Sequence, residues 1–106
     1  MPDKVGGTEW RDHAIIVGYG RVGEIIGDGL KAQAFPFVVI DEDRRRVEKL
    51  RKQGLTATYG DATAAGVLEA AGIAHAKLLI LAIPQGFQKR RIIELARAAN
   101  AQIRRS

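Results

Sequence analysis

Ile15-Ile16-Val17-Gly18-Tyr19-Gly20-Arg21-Val22-Gly23 decides how this chain is read. A short apolar run, Ala14 to Val17, stops at Gly18, and apolar residues then recur at Val22, Ile25, Ile26 and Leu30. The first pattern predicts a strand buried on both faces, as in a parallel sheet, and the second a helix over 21–33. Between them stands G-x-G-x-x-G in the context that gives the motif meaning, strand before and helix after. Gly18 suits a tight turn, Gly20 lets the backbone approach a phosphate, and Gly23 lets the helix pack close to the strand. The helix start offers unpaired N–H groups and a positive dipole end to an anion. Gly27 and Gly29 lower the propensity of that helix, so packing must hold it.

Working outward, Phe37 to Ile40 reads as a second buried strand, with Pro36 at its entrance. Asp43 can cap a helix running to about Gln53, with Val47 and Leu50 facing inward and Gly54 as its stop. A third strand is expected at 56–59, a short helix at 64–71 and a fourth strand within 77–82. A last helix is expected at 86–99, with Ile92, Leu95, Ala96 and Ala99 on one stripe, and a fifth strand begins near Gln102. This alternation implies a Rossmann-like three-layer α/β/α fold around a parallel sheet. Right-handed crossovers and strand order 3-2-1-4 follow, with any fifth strand beside the fourth. Residues 1–12 read as a polar leader or linker and 13–106 as one nucleotide-binding domain.

Asp41 ends the second strand, 18 positions past Gly23. A carboxylate there can accept hydrogen bonds from both ribose hydroxyls and would repel a 2′-phosphate, although an arginine among Arg44 to Arg46 could receive one. The alternative for Asp41 is a turn or capping residue, a role that Asp43 is better placed to fill. Glu42 joins the candidate set beside it. Gly60-Asp61-Ala62-Thr63 follows the third strand, near where an adenine would rest. Asp61 could meet the adenine amino group, or Asp61 or Thr63 could cap the next helix. Arg21 could reach a phosphate from the side or stand solvated in the first turn.

The remaining features bound the function. One hundred and six residues suit a single domain. There is no cysteine, hence no disulfide framework or thiolate chemistry. No apolar run approaches the roughly 20 residues that span a bilayer. The net charge is +5, with clusters at Arg44 to Arg46, Lys89 to Arg91 and Arg104-Arg105. The clusters read as a nucleic-acid surface, as a face near an anionic membrane or as solvated helix faces; few aromatics interleave with them, so base stacking has little support and nucleic acid is not expected as a partner. His13 and His75 precede strands at the edge far from the glycine turn and read as surface histidines. No Ser-His-Asp set, metal-ligand spacing or P-loop is visible, so the chain is not read as an enzyme. The runner-up reading is the cofactor-binding half of an NAD-dependent oxidoreductase, which would need a catalytic domain elsewhere.

Taken together, Ile15 to Gly23, Phe37 to Asp41, Tyr59 to Thr63 and Ala76 to Ile80 resemble the TrkA N-terminal domain, also called the RCK or KTN domain. Ala82 to Phe87 is similar to the branch found in Kef-type monovalent cation:proton antiporters of bacterial inner membranes. The resemblance implies a regulatory domain on the cytoplasmic face of that membrane. It would be joined to a transmembrane antiporter domain of the same polypeptide, paired as a homodimer and controlled by a small-molecule nucleotide. AMP stands first among the implied ligands, beside ADP, ATP and NAD or NADH. By resemblance, Gly18, Tyr19, Gly20, Arg21 and Val22 line the phosphates, Asp41 the ribose, and Asp61 with Ala62 the adenine. The chain also ends short of the family's sixth strand, as a piece of a longer protein would, and the polar leader fits a tether from an upstream membrane segment.

Overall fold

The computed structural model describes residues 11–84 and 86–105, so the expected leader, Arg11 and Asp12 apart, lies outside the described residues. Strands β1 (Ala14–Val17), β2 (Phe37–Asp41), β3 (Ala57–Tyr59), β4 (Leu78–Leu81) and β5 (Arg104–Arg105) alternate with helices α1 (Arg21–Ala32), α2 (Arg44–Lys52), α3 (Val67–Ala70) and α4 (Phe87–Ala99). Every strand pair is parallel and the order is β3-β2-β1-β4-β5. This is the expected Rossmann-like sheet, with β5 beside β4.

Every residue of β1 and β2 is buried, which is why these strands read as continuous apolar runs. Side-chain alternation divides them between two cores. Ile15, Val17, Val38, Ile40 and Leu79 face Leu68, Ile73, Ile92 and Ala96. Ala14, Ile16, Phe37, Val39 and Ile80 face Tyr19, Val47 and Leu50, with Ile26 and Leu30 packed against them. Helices α1 and α2 thus cover one face, and α3 and α4 the other. No helix among the described residues is long and apolar enough to cross a membrane.

α2 forms as its sequence dictates. Asp43 is the N-cap and its side chain accepts the Arg46 N–H at 3.2 Å. Gly54 follows the helix at φ +89°. Other elements depart from expectation. α3 is one turn, Val67–Ala70, started by Gly66 in the left-handed region, and Ile73–His75 adds a 3₁₀ turn. Neither Asp61 nor Thr63 therefore caps it. On α4, Ile92 and Ala96 are buried and Leu95 half-buried, but Ala99 is exposed.

α1 shows the largest difference. Ile26 and Leu30 pack inward, yet Val22 and Ile25 are 58% and 64% exposed. Gly23 and Gly27 face the sheet in their place. The reason is Tyr19, whose ring lies under the helix and stacks with Phe37 at 6.5 Å between centroids. A Cβ on Gly27 would collide with the Tyr19 hydroxyl and ring edge. That hydroxyl is buried and has no hydrogen-bond partner among the described residues. Burial, with Asp28 and Glu24 adding to it, raises its pKa.

The N-terminal edge of the sheet is tied by polar side chains. His13 is fully buried, not a surface residue as its sequence position suggests. It occupies the entry to β1, and its Nε2 pairs with the Ala71 carbonyl at 2.9 Å, at the end of α3. The Nδ2 of Asn100 donates to the Ile73 and Ala76 carbonyls at 3.0 and 2.8 Å. These side-chain bonds supply partners to carbonyls where the short helical turns end, the Ile73 carbonyl also accepting the Ala76 N–H at 3.3 Å. His75 is exposed.

Two outcomes follow from this packing. Gly27→Ala should lower unfolding free energy by about 1–3 kcal/mol through overpacking, whereas Tyr19→Phe should leave it unchanged or raise it by about 1 kcal/mol. Urea titration of both variants checks this, and a clear loss on Tyr19→Phe would show that the hydroxyl is paired. Burial, the largest influence, lowers the His13 pKa below 6.5, against weaker opposing effects of the Ala71 carbonyl and Asp12. As pH falls through 6.5 the unfolded chain then takes up a proton that the folded one refuses, so stability declines until the lower folded pKa is passed. Urea midpoints at pH 7.5 and pH 5 should differ more for the native chain than for His13→Gln. Equal differences would contradict the assignment.

Candidate functional site

At the C-terminal edge of the sheet, the turns after β1, β2, β3 and β4 open onto a cleft of about 240 Å³. β1 runs into Gly18, which sits at φ +91° and whose N–H donates to the Ile40 carbonyl at 2.8 Å. A side chain there would be strained by its backbone and would meet Ile83 Cγ2 at 2.7 Å and the Ala82 carbonyl oxygen at 2.8 Å. A Cβ on Gly23 would collide with the Gly18 carbonyl oxygen, so the start of α1 rests directly on the turn. A Cβ on Gly20 meets no atom within 4 Å, because that side is open cleft. Gly20 is the N-cap of α1 and supplies no side-chain cap. The first-turn N–H groups are thus left to solvent or to a ligand.

Asp41 is only 6% exposed. Its Oδ2 accepts the Tyr19 N–H and its Oδ1 the Asp43 N–H, both at 2.8 Å. The Arg46 guanidinium lies over both oxygens, Nη1 being 3.2 Å from Oδ2 and 3.4 Å from Oδ1. Glu42 is exposed on the same rim.

The third turn begins where the Gly60 N–H donates to the Asp41 carbonyl at 2.9 Å. Asp61 Oδ1 accepts the Thr63 hydroxyl at 2.7 Å and the Thr63 N–H at 2.8 Å. These two bonds, the hydroxyl's first, hold its carboxyl below the usual range. Asp61 is thereby tied back to its own loop. Arg44 covers the exposed ring of Tyr59 at 4.8 Å, beside this turn.

The cleft brings together Gly18, Tyr19, Gly20, Asp41, Glu42, Gly60, Asp61 and Ala62. Arg21, Val22 and Gly23 do not line it. Arg21 and Val22 are exposed on α1, and Gly23 is buried under it. Tyr19 contributes its backbone edge while its ring serves the core. Other lining residues carried no site assignment in the sequence, among them Arg46, Ile83, Pro84 and Gln88. The Arg44 to Arg46 cluster was visible, but only the turn of α2 selects which arginine reaches Asp41. Ile83, Pro84 and Gln88 come from the β4–α4 connection, which meets the glycine turn through the fold alone.

The sequence and fold match known proteins. The TrkA-N domain profile matches residues 14–105. YbaL of Escherichia coli K12, a candidate cation/proton antiporter, is 44% identical over 92 residues, which cover 87% of this chain and 16% of that protein. KefC of Cronobacter sakazakii, a glutathione-regulated potassium-efflux system protein, is 40% identical over 96 residues, 91% of this chain and 16% of that protein. The chain thus spans 16% of the length of each of these relatives. The crystal structure of the TrkA-N domain of the inner membrane protein YbaL gives a TM-score of 0.88 at 41% identity, covering 92% of this chain and 73% of that one. The Shewanella denitrificans Kef CTD in its AMP-bound form gives 0.76 at 33% identity, covering 88% and 55%. This chain belongs to the TrkA-N domain family.

Proposed function

We propose that this chain is the nucleotide-sensing regulatory domain of a bacterial cation:proton antiporter, held at the cytoplasmic face of the inner membrane by a transmembrane domain of the same polypeptide. The observation that carries the reading is one cleft that joins an uncapped helix start, a carboxylate at the end of β2 and the Gly60-Asp61-Ala62 turn. The phosphate sits against Gly18, Gly20 and the first turn of α1, where N–H groups and the helix dipole favour an anion. The ribose faces Asp41, and the adenine lies by Gly60, Asp61 and Ala62.

AMP is the first choice of ligand. A cleft near 240 Å³ lies just below the usual range of ligand sites, which suits a mononucleotide better than a whole dinucleotide. The AMP-bound Kef CTD, at 33% identity, supports the same choice. NAD or NADH remains the second ligand. On this reading the domain acts by binding. Ligand binding in a homodimer favours one arrangement of the domains, and the transporter responds by no more than the difference in affinity between the two arrangements.

The test is thermal unfolding of the chain with AMP, ADP, ATP, NAD, NADH and NADP in turn. A ligand at about 100 times its Kd adds about 2.7 kcal/mol, a shift of several degrees for a domain this size. The shift is expected with AMP and should disappear in a Gly20→Val variant that still unfolds cooperatively, because the added side chain fills the phosphate position. No shift with any nucleotide would remove the site assignment.

A further inference from the structure

The ribose side of the cleft contains a contact that a ribose would have to break. A carboxylate offers about four lone-pair positions. On Asp41 two are taken by the Tyr19 and Asp43 N–H groups at 2.8 Å, bonds internal to the fold. The other two face Arg46 Nη1 at 3.2 and 3.4 Å. With Arg46 in place Asp41 is nearly closed to solvent, while the Arg46 side chain is 41% exposed and lines the cleft. No acceptor on the carboxylate is left over for a 2′- or 3′-hydroxyl.

We propose that Arg46 occupies the acceptor positions on Asp41 that the ribose hydroxyls would use and is the residue that sets the affinity of this site for ribose-bearing ligands. The inference rests on Asp41 as the ribose acceptor. Three features make the guanidinium a displaceable occupant. Its contacts are long and divided between two oxygens, whereas the backbone bonds on the same oxygens are short. Its side chain is partly in water already, so leaving costs little solvation. Its position is imposed by α2: Asp43 is the N-cap and Arg46 is three residues on, where the helix points the side chain back over the cap. A cation in a helix's first turn opposes the dipole and is held there by an adjacent anion. Asp41 is that anion. When the ribose diol takes the two lone pairs, Arg46 swings toward solvent, and the binding energy of the hydroxyls is offset by the lost ion pair.

The consequence is a readable signature. In the native chain AMP should bind only slightly better than 2′,3′-dideoxy-AMP, which can enter with Arg46 still on Asp41. In Arg46→Met the hydroxyls meet an unoccupied carboxylate. AMP should then bind about tenfold more tightly, the size of a hydrogen bond to a charged group, while dideoxy-AMP stays unchanged. The AMP to dideoxy-AMP ratio is read within one protein, so a change in stability of the variant does not move it.

Calorimetric titration of native chain and Arg46→Met with AMP, 2′,3′-dideoxy-AMP and adenosine 2′,5′-bisphosphate decides the matter. A ratio that rises several-fold in Arg46→Met supports the proposal. A ratio unchanged by the substitution, or weaker AMP binding in the variant, overturns it. Tighter binding of the bisphosphate than of AMP by the native chain also overturns it, because Arg46 then receives a 2′-phosphate instead of blocking a ribose. Failure of every ligand to bind either protein removes the nucleotide reading itself, whereas AMP binding with a flat ratio removes only the role of Arg46.

Discussion

The Asp41 carboxylate joins turns that lie 22 residues apart, and the geometry of the cleft depends on it. One oxygen holds the Tyr19 N–H of the glycine turn and the other holds the Asp43 N–H at the entry to α2. Its own backbone carbonyl accepts the Gly60 N–H of the next turn. Three connections at the C-terminal edge of the sheet are therefore fixed by one residue. Bonds to a carboxylate are stronger than neutral ones, and a carboxylate this deeply covered needs every partner that it has. Beyond these bonds the carboxylate keeps two acceptor positions, and Arg46 faces both, which is why the Arg46 contact matters.

Close approach is the second constraint. The turn at Gly18 is overlain by Ile83 and Ala82 from the connection into α4, and Gly23 presses α1 onto the turn from the other side. Residues far apart in the chain thus meet at two glycines, and any Cβ would push the walls of the cleft apart. Further along α1 the missing Cβ of Gly27 admits the Tyr19 ring. The helix is consequently anchored by an aromatic side chain from the loop before it and leaves Val22 and Ile25 in solvent. The two ends of the sheet also differ in kind. At the cleft, backbone N–H groups are presented; at the opposite end, His13 and Asn100 tie down the carbonyls around α3 and the 3₁₀ turn.

Some of this was plain in the residues. Ala14 to Val17 and Phe37 to Ile40 had to be doubly buried parallel strands, because they are apolar at every position. Asp43 and Gly54 marked α2 by cap and stop chemistry. Other features were not plain. α3 looked like a longer helix because Ala64 and Ala65 have good helix propensity, yet Gly66 at φ +85° breaks the segment. His13 looked like a surface residue because a lone histidine before a strand gives no sign that a distant carbonyl will come to it.

What the sequence determined by itself was local: alternating strands and helices, the glycine turn at a strand-to-helix junction, and a carboxylate at the end of the second strand. Spacing within a few residues specifies such features, since backbone sterics and capping act over that range. What only the tertiary structure decided was which side chains share the cleft. The crossovers bring Ile83, Pro84 and Gln88 beside Gly18, turn Tyr19 inward and Arg21 outward, and set Arg46 rather than Arg44 or Arg45 over Asp41. Those outcomes depend on the angle at which helices pack on a twisted sheet, a quantity that no short stretch of residues encodes.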